Sequence, residues 1–197
     1  CSRNGVMVIS DEVHCDLLRR GVVFTPAATV MDNDNLIACT AINKTFNVAG
    51  LACTNLVIPN PTIRERLANW IGFDSPSSFG IAATIAAYQE GEEWLEQVND
   101  YLDANIDFAI DFIKQHMPKA HCRRPEGTYI LWLDLRDYGL SAEEIHQRIY
   151  NNAQVMLEGG LMFDPVRGAG FERICVSTSR SVLEEALKRI SRQFEGK

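Results

Sequence analysis

The stretch Val6-Met7-Val8-Ile9-Ser10-Asp11-Glu12 decides the fold. It is an apolar run without alternation that ends on two carboxylates. Such a run predicts a strand buried on both faces, as in a parallel sheet. A second short run, Leu36-Ile37-Ala38-Cys39-Thr40, ends just before Asn43-Lys44-Thr45, and a third, Ala52–Ile58, stops at Pro59-Asn60-Pro61. Asn60 caps a predicted helix that has Pro61 at its first position and runs to about Trp70. Strands alternating with helical segments at this spacing predict an α/β layer. In such sheets ligands lie beyond the carboxyl ends of the strands. Asp11 and Lys44 both follow predicted strands, so they are the first candidates for chemistry.

A cap-plus-proline signal at Ser75-Pro76 predicts the next helix, whose small residues Gly80 to Ala87 call for close packing. From Glu92 to His116 the apolar positions keep a helical period and predict one long amphipathic helix, able to bridge two domains. The remainder reads as an α+β unit. Strands are predicted over Tyr129–Leu135, Gln154–Leu157 and Phe171–Val176. Ser141 with Glu144 and Ser181 with Glu184 have capping-box spacing. Ile130, Trp132, Leu187 and Ile190 are expected in its core, and Trp70, Trp94 and Trp132 are all read as core residues. The division is therefore 1–90, 91–117 for the linking helix, and 118–197.

Composition narrows the function classes. The 197 residues carry 19 basic and 26 acidic side chains, a formal charge of −7, with 46% hydrophobic residues. That is a globular composition. An acidic chain without a Lys/Arg cluster lacks the positive footprint that nucleic acid requires. The apolar runs are too short to span a bilayer. The six cysteines form no CxxC pair, so reduced thiols in the cytoplasm are expected, with neither a disulfide framework nor a metal site. His116, His121 and His146 are assigned no chemistry.

By position alone, Lys44 is a potential carbonyl nucleophile and Asp11 a carboxylate in want of a cationic partner. The surrounding residues say more. Val8-Ile9-Ser10-Asp11-Glu12-Val13-His14 and Asn43-Lys44-Thr45-Phe46-Asn47-Val48-Ala49-Gly50-Leu51 resemble fold-type I pyridoxal-phosphate enzymes. Within the class I/II aminotransferase family they look like the MalY/PatB group of cystathionine β-lyase-like C–S lyases. The resemblance continues through Trp132-Leu133-Asp134-Leu135 to Gly170-Phe171-Glu172-Arg173-Ile174 and covers essentially the whole chain.

The resemblance implies a role for each matched residue. Lys44 would form the Schiff base with the cofactor aldehyde and then remove the substrate Cα proton. Asp11 would keep the pyridine nitrogen protonated. His14 falls where this lyase group carries histidine near the ring hydroxyl. Arg173 would grip the substrate carboxylate through its planar fork. Where relatives use serine or threonine to help hold the phosphate, this chain has Asn43 and Ala41, of which only asparagine can donate. Asp164 stands where glycine is common.

The implied architecture is the C-terminal part of the pyridoxal-phosphate-dependent transferase fold: the end of the large-domain sheet, the long linking helix and the small domain. The chain is then expected to be a fragment, with an apolar strand edge exposed at Val6–Ser10 and weak cofactor binding when isolated. The implied reaction is β-elimination of a thiol from cystathionine-like or cysteine-like amino acids, in a homodimeric full-length enzyme. An aminotransferase is the alternative chemistry. A non-catalytic dimerisation or scaffold fragment is the alternative of another class.

Overall fold

The computed structural model describes residues 1–31, 33–72 and 76–196. The chain divides into two compact units, Cys1–Asn99 and Asp100–Lys197.

In the first unit β1 (Val8–Asp11), β2 (Leu36–Thr40) and β3 (Asn55–Val57) form a sheet in that order. β1 and β2 run parallel with Val8 opposite Leu36 and Asp11 opposite Cys39, while β3 returns antiparallel to β2. A one-turn helix, α1 (Ala27–Val30), lies in the crossover between β1 and β2. β2 is the buried centre, with Leu36, Ile37 and Ala38 nearly inaccessible. β1 departs from the expectation of burial on both faces. It alternates between half-buried and exposed, and Ile9 is 67% exposed. β1 is the edge strand of the described sheet, so only β2 covers it laterally, and Val6 and Met7 are exposed beside it.

Two helices follow. α2 (Pro61–Ile71) starts as the sequence requires, the Asn60 side chain accepting the N–H groups of Thr62 and Ile63. α3 (Ser78–Glu90) is capped by Ser77, whose hydroxyl accepts the Gly80 N–H. The helix therefore begins later than the Ser75-Pro76 signal suggested, and Ser75 itself lies outside the described residues. The tight packing expected of α3 is at Gly80, where a Cβ would stand 2.9 Å from the Leu51 carbonyl oxygen. The tryptophans depart from expectation. Trp70 is 84% exposed, and Trp94 and Trp132 are also exposed. Periodicity locates a helix face, but what covers that face is decided by the rest of the fold.

α4 (Glu92–His116) forms over the predicted span and contains the division between the units. In the second unit its residues Leu102, Ile106, Ala109 and Ile113 are buried. This unit has a four-stranded antiparallel sheet in the order β4-β5-β7-β6, from β4 (His121–Cys122), β5 (Ile130–Asp134), β6 (Glu158–Gly159) and β7 (Phe171–Cys175). α5 (Ala142–His146) begins with the predicted capping box and continues as a π-turn through Asn152. α6 (Arg180–Arg192) packs Leu183, Leu187 and Ile190 inward.

Three expectations are corrected here. The Ser181–Glu184 capping box does not form. α6 starts at Arg180, whose backbone N–H goes to the Tyr101 hydroxyl and whose Nε goes to Asn105, so Ser181 lies inside the first turn and Glu184 pairs with Lys188. The strand predicted over Gln154–Leu157 forms later, at Glu158–Gly159, because Gln154 takes a left-handed φ of 55°. Leu131 and Leu133 face the core rather than Ile130 and Trp132. An unbroken apolar strand has no polar partner to fix its parity, and a shift by one residue exchanges the faces.

The core face of β7 carries Ile174 and also Glu172, which is only 6% exposed. Burial pushes the Glu172 carboxyl up to about 7. A carboxyl with a raised folded pKa binds its proton more tightly when folded. Stability is therefore greatest at acid pH and falls as pH rises from the usual carboxylate range to about 7. Urea titrations at several pH values are expected to show this fall. Glu172→Gln should abolish it and raise stability at neutral pH by about 1–2 kcal/mol. An unchanged pH profile would refute the assignment.

Candidate functional site

The chain leaves β1 and β2 at the same edge, because the two strands are parallel and in register. The alternation of the extended chain then separates two adjacent carboxylates. Glu12 turns inward: its N–H donates to the Cys39 carbonyl, and its Oε1 accepts from Ser10 Oγ and the Ala27 N–H, both at 2.9 Å. Asp11 turns outward and is exposed, its Oδ1 accepting the Val13 N–H at 3.3 Å. Glu12 is a fastener between the strand end and α1, whereas Asp11 is available to a ligand. His14 follows, half-buried, in a turn whose carbonyl accepts the Leu17 N–H.

After β2, Ala41 and Ile42 are buried and the chain turns tightly, with Phe46 N–H bonded to the Ile42 carbonyl and Val48 N–H to that of Asn43. Asn47 takes a left-handed φ of 55°, which asparagine tolerates better than most residues. Lys44 lies exposed on this turn. Beside it Asn43 Oδ1 is buried without a hydrogen-bond partner among the described residues. Thr45 is only 2% exposed and donates its hydroxyl to Asp16 Oδ2 at 3.1 Å. That bond ties the loop of Lys44 to the loop of Asp11 and His14. The Asp16 backbone carbonyl in turn accepts from Asn99 Nδ2 at 3.2 Å.

Phe46 anchors the other side of the turn. Its ring stacks on Trp94 with centroids 5.1 Å apart. It also lies against Gly91, where a Cβ would stand 2.5 Å from the ring and 2.4 Å from the Ala87 carbonyl oxygen. A cleft of about 240 Å³ opens here, lined by Asp16, Phe46, Tyr88, Gly91 and Leu95 among others. Burial raises the Tyr88 hydroxyl, with the Asp16 carboxylate adding to the effect. Burial, reinforced by Asp16, pushes the Cys15 thiol up to about 11, which leaves it protonated and a poor nucleophile. Lys44, by contrast, is exposed on its turn.

Arg173 belongs to the second unit. It lies on the face of β7 opposite the core, across from Trp132 on β5 and Glu158 on β6. Its guanidinium stands 5.0 Å from the centroid of Phe163, which Trp132 meets edge-on at 5.4 Å. Phe163 is held by a closed loop in which Gly160 and Gly168 touch: a Cβ on Gly160 would stand 2.3 Å from the Gly168 carbonyl oxygen. Asp164 fits this loop by accepting the N–H groups of Val166 and Arg167, and those bonds lower its carboxyl below the usual range.

The structure thus puts Asp11, His14 and Lys44 on adjoining loops of one unit and Arg173 on a strand of the other. Sequence reading missed Asp16, Thr45 and the Phe46–Gly91–Trp94 anchor. Thr45 was visible in the Lys-Thr-Phe-Asn block. Its partner is 29 residues away, and no local signal links them.

The sequence model of the family described as aminotransferase class I and II matches residues 1–190. The chain is similar to the cystathionine beta-lyase PatB of Bacillus subtilis, 35% identical over 195 residues, covering 96% of this chain and 50% of that protein. It superposes with a TM-score of 0.94 and 39% identity on a PLP-bound putative aminotransferase from Clostridium difficile 630, covering 99% of this chain and 51% of the other. A PLP-bound C–S lyase from Staphylococcus hominis, complexed with L-cycloserine, gives a TM-score of 0.89 at 36% identity, covering 98% and 48%. The chain spans about half the length of the curated relatives it matches.

Gly91→Ala tests the anchor of the Lys44 turn. The added methyl must displace the Phe46 ring and meets backbone on its other side, so a loss of about 1–3 kcal/mol is expected. Faster amide exchange over residues 42–48 should accompany it. A neutral substitution would show that Phe46 does not pin the turn.

Proposed function

Because the chain belongs to the aminotransferase class I and II family, we propose that it is the part of a pyridoxal-phosphate-dependent C–S lyase that carries Lys44, Asp11, His14 and Arg173. The single observation that carries the reading is the pairing of two loops at one sheet edge, a lysine on one and a carboxylate on the other, tied by Thr45 and Asp16. The similarity to proteins described as cystathionine beta-lyase and C–S lyase supports the choice of reaction.

The residues present fit the cofactor. Asp11 offers an exposed carboxylate to a pyridinium N–H, Lys44 an amine to an aldehyde, and Asn43, whose buried Oδ1 has no partner among the described residues, a polar contact beside them. When bound, pyridoxal phosphate supplies an electron-withdrawing ring that stabilises negative charge at the substrate Cα. Asp11 would hold the proton on the ring nitrogen, and His14 would help to hold the ring. Arg173 binds the substrate α-carboxylate through two parallel N–H bonds. Lys44 would be the base that takes the proton from the substrate Cα. The Cβ–S bond then breaks and the thiolate leaves. Water completes the reaction, giving pyruvate and ammonia from a cysteine-like substrate. An aminotransferase is the second reading, favoured by the 39% identity to the Clostridium difficile protein. It would use the same residues in the same roles.

We place the protein in the cytoplasm as a homodimer acting on sulfur-containing amino acids. Six free cysteines support a reducing compartment, and no described helix is long and apolar enough to cross a membrane. The bare apolar edge at β1 supports association with further protein surface.

Three measurements test the proposal on the protein at the length at which it is made in the cell. Borohydride reduction with the cofactor bound, followed by peptide mapping, should find the label on Lys44, and Lys44→Ala should lose it together with nearly all turnover. Label on another lysine, or on none, would end the assignment. Incubation with cystathionine should release pyruvate, whereas amino transfer to a keto acid without pyruvate release would decide for the second reading. Arg173→Lys should weaken amino-acid binding and leave cofactor absorbance intact, since a point charge replaces a planar fork.

A further inference from the structure

We propose that Glu158 is a positioning residue that sets the affinity of Arg173 for carboxylates, by lying against its Nε and competing with the incoming carboxylate. This rests on the reading of Arg173 as the partner of the substrate α-carboxylate. Glu158 and Arg173 are directly opposed across the β6–β7 pair, and Glu158 Oε2 stands 2.5 Å from Arg173 Nε. The contact is an ion pair off the hydrogen-bond angle, since Nε makes no hydrogen bond among the described residues. Glu158 therefore neutralises the guanidinium without saturating its donors.

A guanidinium can receive a carboxylate along the side formed by Nε and one terminal nitrogen, or at the end formed by both terminal nitrogens. Glu158 lies against Nε, on the first of these sides. The orientation of the group does not depend on Glu158, because Phe163 lies under the guanidinium and Trp132 braces Phe163. Arg173 and Glu158 side chains are 28% and 42% exposed, so the pair is a weak one that a better-placed carboxylate can displace. Loss of Glu158 should then leave the fork in place with a larger net charge and tighten carboxylate binding.

The test titrates propionate, a carboxylate without an amino group, into the ¹⁵N-labelled chain while following the backbone amide resonances of β6 and β7, which every variant retains, together with Arg173 Nε–Hε where it is present. Glu158→Gln should tighten binding about threefold to fivefold, and Glu158→Ala should do the same, with the melting temperature reporting that each variant is folded. In the cofactor-loaded protein Glu158→Gln should lower KM by a similar factor with little change in kcat, a split that a merely structural residue would not give. Unchanged or weaker binding in both Glu158 variants, with binding still lost in Arg173→Lys, would overturn the proposal and leave the reading of Arg173 standing. Propionate binding that ignores Arg173→Lys, or none in any variant, would overturn both.

Discussion

The parallel pairing of β1 with β2 is the constraint from which the candidate site follows. Parallel strands end at the same edge, so Asp11 and the turn of Lys44, 33 positions apart in sequence, emerge side by side. An antiparallel pair would have sent the two loops to opposite ends of the sheet. Given that pairing, a single buried hydroxyl, Thr45 on Asp16, suffices to couple the loops, and the Phe46 ring against Gly91 fixes how far the turn can swing. Asp11 and Lys44 are themselves exposed, while Glu12 and Thr45, which fasten their loops, are buried. Rigidity therefore resides in the support and accessibility in the reactive groups, as a binding site on loops requires.

The second unit obeys a different geometry with a similar division of labour. In the antiparallel strand β7 the period of two sends Glu172 and Ile174 to the core and Arg173 to the other face. The buried acid is a thermodynamic burden, its carboxyl pushed up toward neutrality by desolvation. The arginine one residue away instead meets an aromatic plane and a cross-strand carboxylate. Two neighbouring charged residues thus have opposite environments because the pleat separates them.

The two units also differ in how well they cover their own apolar surface. In the second, α4, α5 and α6 bury a continuous set of aliphatic residues. In the first, Ile9, Trp70, Phe79 and Ile85 remain exposed, and α3 buries little beyond Gly80. A helix with apolar residues on every side is suited to an interior position.

Much was legible in the residues alone. Strands β1, β2, β3, β5 and β7, the Asn60 and Ser141 caps, and the full span of α4 followed from local rules, because caps and periodicity act within a few residues. The Lys-Thr-Phe-Asn block and the Asp-Glu-Val-His turn marked the site by type and order. Three things needed the tertiary structure. Strand parity in Tyr129–Leu135 did, since every residue of the run from Tyr129 to Leu133 is apolar or aromatic and only the packed helices choose between Leu131 and Trp132. So did the start of α6, where Tyr101 and Asn105 capture Arg180 from far along the chain. The exposure of Trp70 did as well. Local sequence determines which residues can form an element and present an apolar face. What meets that face depends on contacts between distant residues, which leave no local signal.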